Sequence, residues 1–420
     1  MGKVKSFEIT FNDTNKVYYP GQQVTGKVMV ELESDMKLRA IRVYMRGLAK
    51  VHWTESRSTT SRLGTIYTEH YNAEIEYFFK RQELFGSLAE TGEVRAHAWL
   101  PQGHHEFDFA FQLPTDGIST SFEGKYGSVR YWLKAEIDKP WSFNHSTKRA
   151  FTVISPIDIN LVEYLSPVES GAEKMLCCWC LTSGPVSINA RTDRRGYCPG
   201  ESIAITADFE NYSSRPVIPH ATLYQTQTFL AGGKSRSRRY KFTILTGLQI
   251  QPGRKATWDA QLLKIPAVSP SIVNCCLIKI EYTVRVTLQI PGSYNLSLDL
   301  PIVVGTVPLR GRLPHYRAID VQAMSDARVT YVPPAPAYRE QATPPPPFDS
   351  YGPPPTYMES VEGAVDIRDE DDGDEQEGVM GDFTFTPMYT YVTDYQYHQQ
   401  PPPYSEIDPH PTASAGPTAM

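Results

Sequence analysis

Residues 278–290 alternate without a break. Ile278, Ile280, Tyr282, Val284, Val286, Leu288 and Ile290 interleave with Lys279, Glu281, Thr283, Arg285, Thr287 and Gln289. Successive side chains of an extended strand point to opposite faces, so this segment has one face on a core and one in water. The same period recurs over most of residues 1–310, and long helical stripes are missing. Val24, Val28, Val30 and Leu32 share a face, as do Ile41, Val43 and Met45, then Phe107, Phe109 and Phe111, then Val129, Tyr131, Leu133, Ala135 and Ile137. One-sided strands punctuated by Gly, Pro, Asn and Asp predict an all-β body of antiparallel sheets packed face to face, that is, β-sandwiches.

An internal repeat divides that body in two. Tyr18-Tyr19-Pro20-Gly21-Gln22-Gln23-Val24 returns 179 positions later as Tyr197-Cys198-Pro199-Gly200-Glu201-Ser202-Ile203, each copy leading into an alternating strand. Leu113-Pro114 matches Ile265-Pro266 at an offset of 152, and the strand from Val129 matches that from Ile280 at 151, with a longer first-half insertion around residues 54–95. The chain has 420 residues, 40% of them hydrophobic, enough for two cores. The expected organisation is a sandwich over residues 1–156, a linker over 157–174, a related sandwich over 175–309 and a tail over 310–420.

The tail differs in kind. Residues 331–420 hold 17 of the 34 prolines and a formal charge of −14, which leaves +8 on residues 1–330. Such a composition predicts a disordered segment. The mildly basic body suits an anionic membrane face or a phosphorylated peptide, and its charge is too thinly spread to suggest nucleic acid. No apolar run reaches 18 residues and no apolar leader opens the chain, so an intracellular protein that neither spans a membrane nor is secreted is expected. On that expectation the N-x-S/T sequons at Asn12, Asn144, Asn211 and Asn295 are accidental, and Cys177, Cys178, Cys180, Cys198, Cys275 and Cys276 are free thiols.

Several segments together resemble the α-arrestins, the arrestin-domain-containing proteins. They are Lys5-Ser6-Phe7-Glu8-Ile9 leading to Asn12-Asp13, Gly103-His104-His105-Glu106-Phe107-Asp108-Phe109, and Ser121-Phe122-Glu123-Gly124-Lys125-Tyr126-Gly127 running into Tyr131-Trp132-Leu133-Lys134-Ala135. The second half adds Arg195-Gly196-Tyr197 with Pro199-Gly200-Glu201, Ser269-Pro270-Ser271-Ile272, and Leu300-Pro301-Ile302-Val303-Val304-Gly305. The resemblance covers about three-quarters of the chain. It implies two tandem arrestin-type antiparallel β-sandwich domains followed by a disordered Pro-rich tail, an adaptor role, and no catalysis.

Two tail segments fit P-P-x-Y: Pro354-Pro355-Thr356-Tyr357 and Pro401-Pro402-Pro403-Tyr404. Prolines hold the chain in polyproline II before binding, and the closing tyrosine anchors it in an aromatic-lined groove of the WW type, so Pro354, Pro355, Tyr357, Pro401, Pro402 and Tyr404 are the candidate WW-binding residues. Chance matches in a Pro- and Tyr-rich segment are the competing explanation, weaker for two copies than for one. In the family the motif recruits HECT-type ubiquitin ligases with tandem WW domains. Tyr404-Ser405-Glu406-Ile407 also fits a Y-x-x-Φ endocytic signal but overlaps the second motif. The eight acids of Asp366–Glu377 and the run Pro344–Pro347 read as spacers.

The basic stretch Lys234, Arg236, Arg238, Arg239 and Lys241 follows Gly232-Gly233, which suggests a hairpin tip able to meet phosphate on a receptor tail or on lipid; a solvated loop is the alternative. Cys177-Cys178-Trp179-Cys180 is the nearest approach to a metal motif, yet neighbouring strand residues face opposite ways, so no metal and no cofactor is expected there. Structural thiols or S-palmitoylation are the readings left. His104 and His105 lack metal-type spacing and read as structural. One family branch binds thioredoxin through a cysteine that, by alignment, precedes a small-polar-Trp triplet; here Lys255 precedes Ala256-Thr257-Trp258. No segment matches the charge network that gates visual and β-arrestins. No G-x-S-x-G, P-loop, dinucleotide glycine set or H-E-x-x-H is present, so no enzyme is expected. Met1-Gly2-Lys3-Val4-Lys5-Ser6 fits N-myristoylation, with a simple lead into a first strand through Phe7, Ile9 and Phe11 the favoured alternative.

The expectation is a cytoplasmic adaptor, recruited to plasma membrane and endosomes. It would link membrane receptors or transporters to HECT-type ligases with WW domains, with peripheral membrane contact and no nucleic acid. A ligase-independent trafficking scaffold of the same fold is the alternative.

Overall fold

Strands account for nearly all the regular structure in the computed structural model, which describes residues 4–58, 66–86, 98–140, 144–178, 181–309, 356–360, 363–368 and 379–393. The first half comprises β1 (Val4–Phe11), β2 (Val17–Tyr18), β3 (Gln23–Leu32), β4 (Met36–Leu38), β5 (Ala40–Ser58), β6 (Ile66–Gly86), β7 (Ala98–Leu100), β8 (Gly103–Gln112), β9 (Phe122–Gly124), β10 (Gly127–Asp138) and β11 (His145–Val153). A sheet in the order β1-β3-β8 packs on one in the order β2-β11-β10-β5-β6, with β9 beside β10 and a small β4-β7 pair. The second half comprises β12 (Glu169–Cys178), β13 (Leu181–Thr192), β14 (Gly196–Tyr197), β15 (Ser202–Asn211), β16 (Ile218–Ala231), β17 (Lys234–Thr246), β18 (Arg254–Lys264), β19 (Ile278–Gln289) and β20 (Leu296–Val304). Its sheets run β12-β13-β15-β18 and β14-β20-β19-β16-β17. A single helical turn, α1 (Val162–Leu165), lies between the halves.

The apolar faces read from the sequence point into the cores. Val24, Val28, Ile41, Val43, Met45, Val129, Tyr131, Leu133, Ala135, Ile137, Ile278, Ile280, Val284, Val286 and Leu288 are fully buried, while Phe107 near the sheet's end is only half-buried. The lead from Phe7 and Ile9 is indeed a buried strand, β1, paired antiparallel with β3; Gly2 lies outside the described residues. The insertion around residues 54–95 lengthens one hairpin, β5 and β6, to 19 and 21 residues. β12 begins at Glu169, before the expected start at residue 175. Its small and charged residues Glu169-Ser170-Gly171 carry no apolar alternation, because an edge strand is held by the ladder to β13 more than by its own burial.

The repeat extends to individual bonds. β2 pairs parallel with β11 and β14 parallel with β20. Gly21 N donates to Pro114 O at 2.9 Å and Gly200 N to Ile265 O at 2.9 Å, both glycines at positive φ (80° and 92°), as the Pro-Gly turn needs. Tyr131 Oη donates to Ser119 O at 2.6 Å and Tyr282 Oη to Ser269 O at 2.5 Å. Ser121 Oγ accepts Val153 N at 2.9 Å and Ser271 Oγ accepts Val304 N at 3.0 Å. In each sandwich a core tyrosine thus fastens the segment ahead of the central strand to that strand, and a serine fastens it to the last strand.

The two sandwiches touch directly. Ser119 Oγ donates to Asn274 Oδ1 at 3.0 Å, Asn274 Nδ2 returns to Ile118 O and Ser155 Oγ at 3.2 Å each, and Tyr77 Oη donates to Cys275 Sγ at 3.4 Å. Tyr126 meets Phe229 edge-on at 5.7 Å, and Ile157 and Thr306 join the linker to the end of β20.

Candidate partner-binding site

Short strands continue into the tail: β21 (Thr356–Glu359), β22 (Val365–Asp366), β23 (Thr384–Phe385) and β24 (Met388–Tyr391). They form nested antiparallel pairs, with Tyr357 opposite Thr390 and Val365 opposite Phe385. Neither pair has a core of its own; what they bury, they bury against the first sandwich, so these segments are ordered where composition alone predicts a disordered tail. Tyr357, the tyrosine of the first P-P-x-Y motif, packs half-buried with Met388 on Val17, Tyr19 and Ile154, and the Tyr357 and Tyr19 hydroxyls are 2.7 Å apart. Burial raises both phenols, so the pair is neutral and one hydroxyl donates to the other. Pro354, Pro355, Pro401, Pro402 and Tyr404 lie outside the described residues.

Backbone and apolar contacts fix this element along the outer face of β10 and β11. Met380 N donates to Ser146 O at 3.0 Å, Met388 N to Thr152 Oγ1 at 3.2 Å, and Tyr389 Oη to Ser121 O at 3.0 Å. Val392 N reaches Pro199 O in the second sandwich at 2.8 Å. Ile367 and Phe385 are buried against Trp132 and Ala150, and Lys148 Nζ lies 4.5 Å from the centre of the Trp132 ring. Asp382 adds a charge match: its carboxyl is held below the usual range, first by the backbone and hydroxyl of Thr384, then by Arg149 and Lys16 of the body.

Sequence reasoning missed the body's side of this contact. Trp132 and Ala150 stand at outward positions of alternating strands, where an indole and a methyl call for a cover. The tail carries the complementary signal, a period-two run of Phe383, Phe385, Tyr389 and Tyr391 inside a Pro-rich, acidic composition.

The basic stretch follows a hairpin turn, as expected, with Gly232 and Gly233 at φ 57° and 72°, but its cations lie along strand β17 and not at the tip. The reason is register: β17 pairs with β16 from Lys234 onward. Lys234 Nζ donates to the Tyr71 hydroxyl over that ring and lies 3.7 Å from Glu69. Arg236 lies 4.4 Å over Tyr126 and donates to Thr54 O at 3.2 Å, so both reach across to the first sandwich. Arg238 lies 5.3 Å from the Tyr240 ring, Arg239 4.1 Å from the Tyr224 ring and 3.9 Å from Asp299, and Lys241 is exposed.

Other candidates have ordinary surroundings. His105 bonds Pro101 O at 2.8 Å and His104 bonds Glu106 at 3.2 Å. Cys198, Cys275 and Cys276 are free, and burial pushes the Cys198 thiol well up. Among the described residues no three His, Cys, Asp or Glu side chains are grouped to hold a metal, and no helix is long and apolar enough to cross a membrane. Lys255, opposite Glu210 on β15, is ion-paired with it.

Comparison with known proteins agrees with this architecture. The model of the arrestin (or S-antigen) N-terminal domain matches residues 7–160 and that of the arrestin C-terminal domain matches residues 182–309. The chain is 36% identical over 417 residues to arrestin domain-containing protein 4 of Homo sapiens, covering 98% of this chain and 94% of that one. It belongs to the α-arrestin family. A further relative of this α-arrestin is the thioredoxin-interacting protein of Homo sapiens, 32% identical over 414 residues and 97% of each chain. The likeness therefore extends past the two sandwiches into the tail. Membership supports an arrestin-type adaptor in trafficking, from a family whose members bind other proteins and are not catalysts.

Proposed function

We propose that this α-arrestin is a cytoplasmic adaptor that carries membrane receptors or transporters on its sandwiches and a WW-domain HECT-type ubiquitin ligase on its tail, promoting ubiquitination, endocytosis and endosomal or lysosomal sorting. The observation that carries the reading is the pair of P-P-x-Y motifs behind two arrestin sandwiches. Each offers a pre-extended proline pair, which loses little entropy on docking, and a tyrosine for an aromatic groove. Lys234 and Arg236 reach the first sandwich and Arg239 lies beside Asp299, so contact with anionic lipid or a phosphorylated receptor tail is read for the edge strand's Arg238 and Lys241 first, with Arg239 shared with Asp299. Thioredoxin interaction, which the name of one relative states, is not carried over: Lys255 stands where the branch's cysteine aligns and offers no thiol.

Proximity labelling in cells tests the reading. The wild-type chain should label both WW-domain ligases and membrane proteins. With Tyr357→Ala and Tyr404→Ala together the ligases should drop out and the membrane proteins remain. An unchanged ligase set would overturn the proposal.

A further inference from the structure

The first motif's tyrosine occupies a place built for it. Its ring packs on Val17, Tyr19 and Ile154, its hydroxyl bonds Tyr19, and its backbone lies in a β-ladder opposite Thr390. A WW groove takes a polyproline II segment and encloses the tyrosine side chain, so it needs the same ring free of other packing. One side chain cannot fill both places.

We propose that the outer face of the first sandwich is a docking surface for the tail segments 356–360, 363–368 and 379–393, and that docking there and WW engagement of Tyr357 exclude one another. The proposal rests on the ligase reading above and adds a gate to it. What holds the element is largely remote from the motif: Ile367 and Phe385 cover Trp132 and Ala150, Tyr389 is pinned to Ser121, and Val392 bonds Pro199 in the second sandwich. Each such contact stabilises the arrangement in which Tyr357 is covered. A WW domain therefore binds the first motif with an affinity reduced by the fraction of molecules whose tail is released. A partner that occupied the β10–β11 face would do the reverse and present the motif. The bond to Pro199 makes the gate sensitive to both sandwiches, because Met388 at the start of β24 bonds Thr152 in one and Val392 just past its end bonds Pro199 in the other.

The test uses the full chain with Tyr404→Ala in every variant, so that only the first motif reports. Ile367→Asp with Phe385→Asp places two carboxylates against Trp132 and releases the element without altering the motif or either sandwich core. Affinity for a single WW domain is measured by calorimetry for the parent, for the released variant and for a synthetic peptide of residues 350–360. With nine in ten tails docked, the released variant binds about tenfold tighter than the parent and matches the peptide. Amide exchange at Met380, Met388 and Val392 is slow in the parent, and fast both in the released variant and in the parent saturated with the WW domain. Equal affinity of parent, variant and peptide would overturn the gate and leave the ligase reading standing. A peptide that fails to bind would overturn the gate and take the first motif out of the ligase reading, which would then rest on the Tyr404 motif alone.

Discussion

Tyr131 and Tyr282 show how a single side chain closes a sandwich. Each is buried on the central strand and donates its hydroxyl to the carbonyl of a serine in the loop just ahead of that strand, Ser119 or Ser269. Tyr282→Phe keeps the ring and removes that donor, leaving the carbonyl short of a partner, so the second sandwich should lose roughly 1–3 kcal/mol in urea unfolding. A change below a few tenths would show the bond to be ornamental. Val284→Asp, at a fully buried position, puts an unpaired carboxylate in the same core and should cost about 4 kcal/mol or more, seen as loss of the cooperative thermal transition. The burial of both residues was legible from alternation alone. The serine partners were not, because the bonds depend on how a loop returns across the sheet, and period-two patterning carries no information about loops.

At the level of elements, alternation located the central strands well and the edges poorly. β12 has no apolar stripe to announce its start, and the basic stretch of β17 looked like a loop because Lys, Ser and Arg alternate without an apolar partner. Neither strand is read from its own burial; a neighbouring strand's ladder holds each. β17 then does a second job, tying its sandwich to the first: Lys234 on Tyr71 and Arg236 on Thr54 reach the long β5–β6 hairpin, and Arg236 also lies over Tyr126 in the β9–β10 turn. Cation–ring contacts at partly exposed sites contribute about 0.5–1 kcal/mol each. Lys234→Ala with Arg236→Ala should therefore leave circular dichroism unchanged while amide exchange around Trp53, Thr54 and Tyr71 speeds up several-fold. Unaltered exchange would mean that β17 merely lies near the hairpin.

For the whole molecule, composition separated body from tail correctly but could not show that parts of the tail use the body as their core. The signals were distributed, Trp132 and Ala150 on one side and Phe383, Phe385, Tyr389 and Tyr391 on the other, and only the three-dimensional fold brings them together. A chain ending at residue 309 keeps every strand of both sandwiches, so it should remain soluble and β-rich. Its tryptophan emission should shift to the red as Trp132 meets water, and that shift should vanish in a Trp132→Phe background. Substantial helix in that fragment would contradict the fold. The tail's docking also bears on how two motifs act together. Tyr357 and Tyr404 are 47 positions apart, a coil span of about 35–40 Å once the tail is released. Avidity on a tandem WW protein is then on the order of a hundredfold, less the roughly tenfold needed for release. The direct test of the adaptor account is calorimetry of a tandem WW protein against the full chain, Tyr357→Ala, Tyr404→Ala and the double variant. For motifs of equal intrinsic affinity the account predicts at least about tenfold weaker binding for each single change, Tyr404→Ala the worse because it leaves only the covered motif, and no binding for the double. Binding by the double variant as tight as that of the unaltered chain would contradict it.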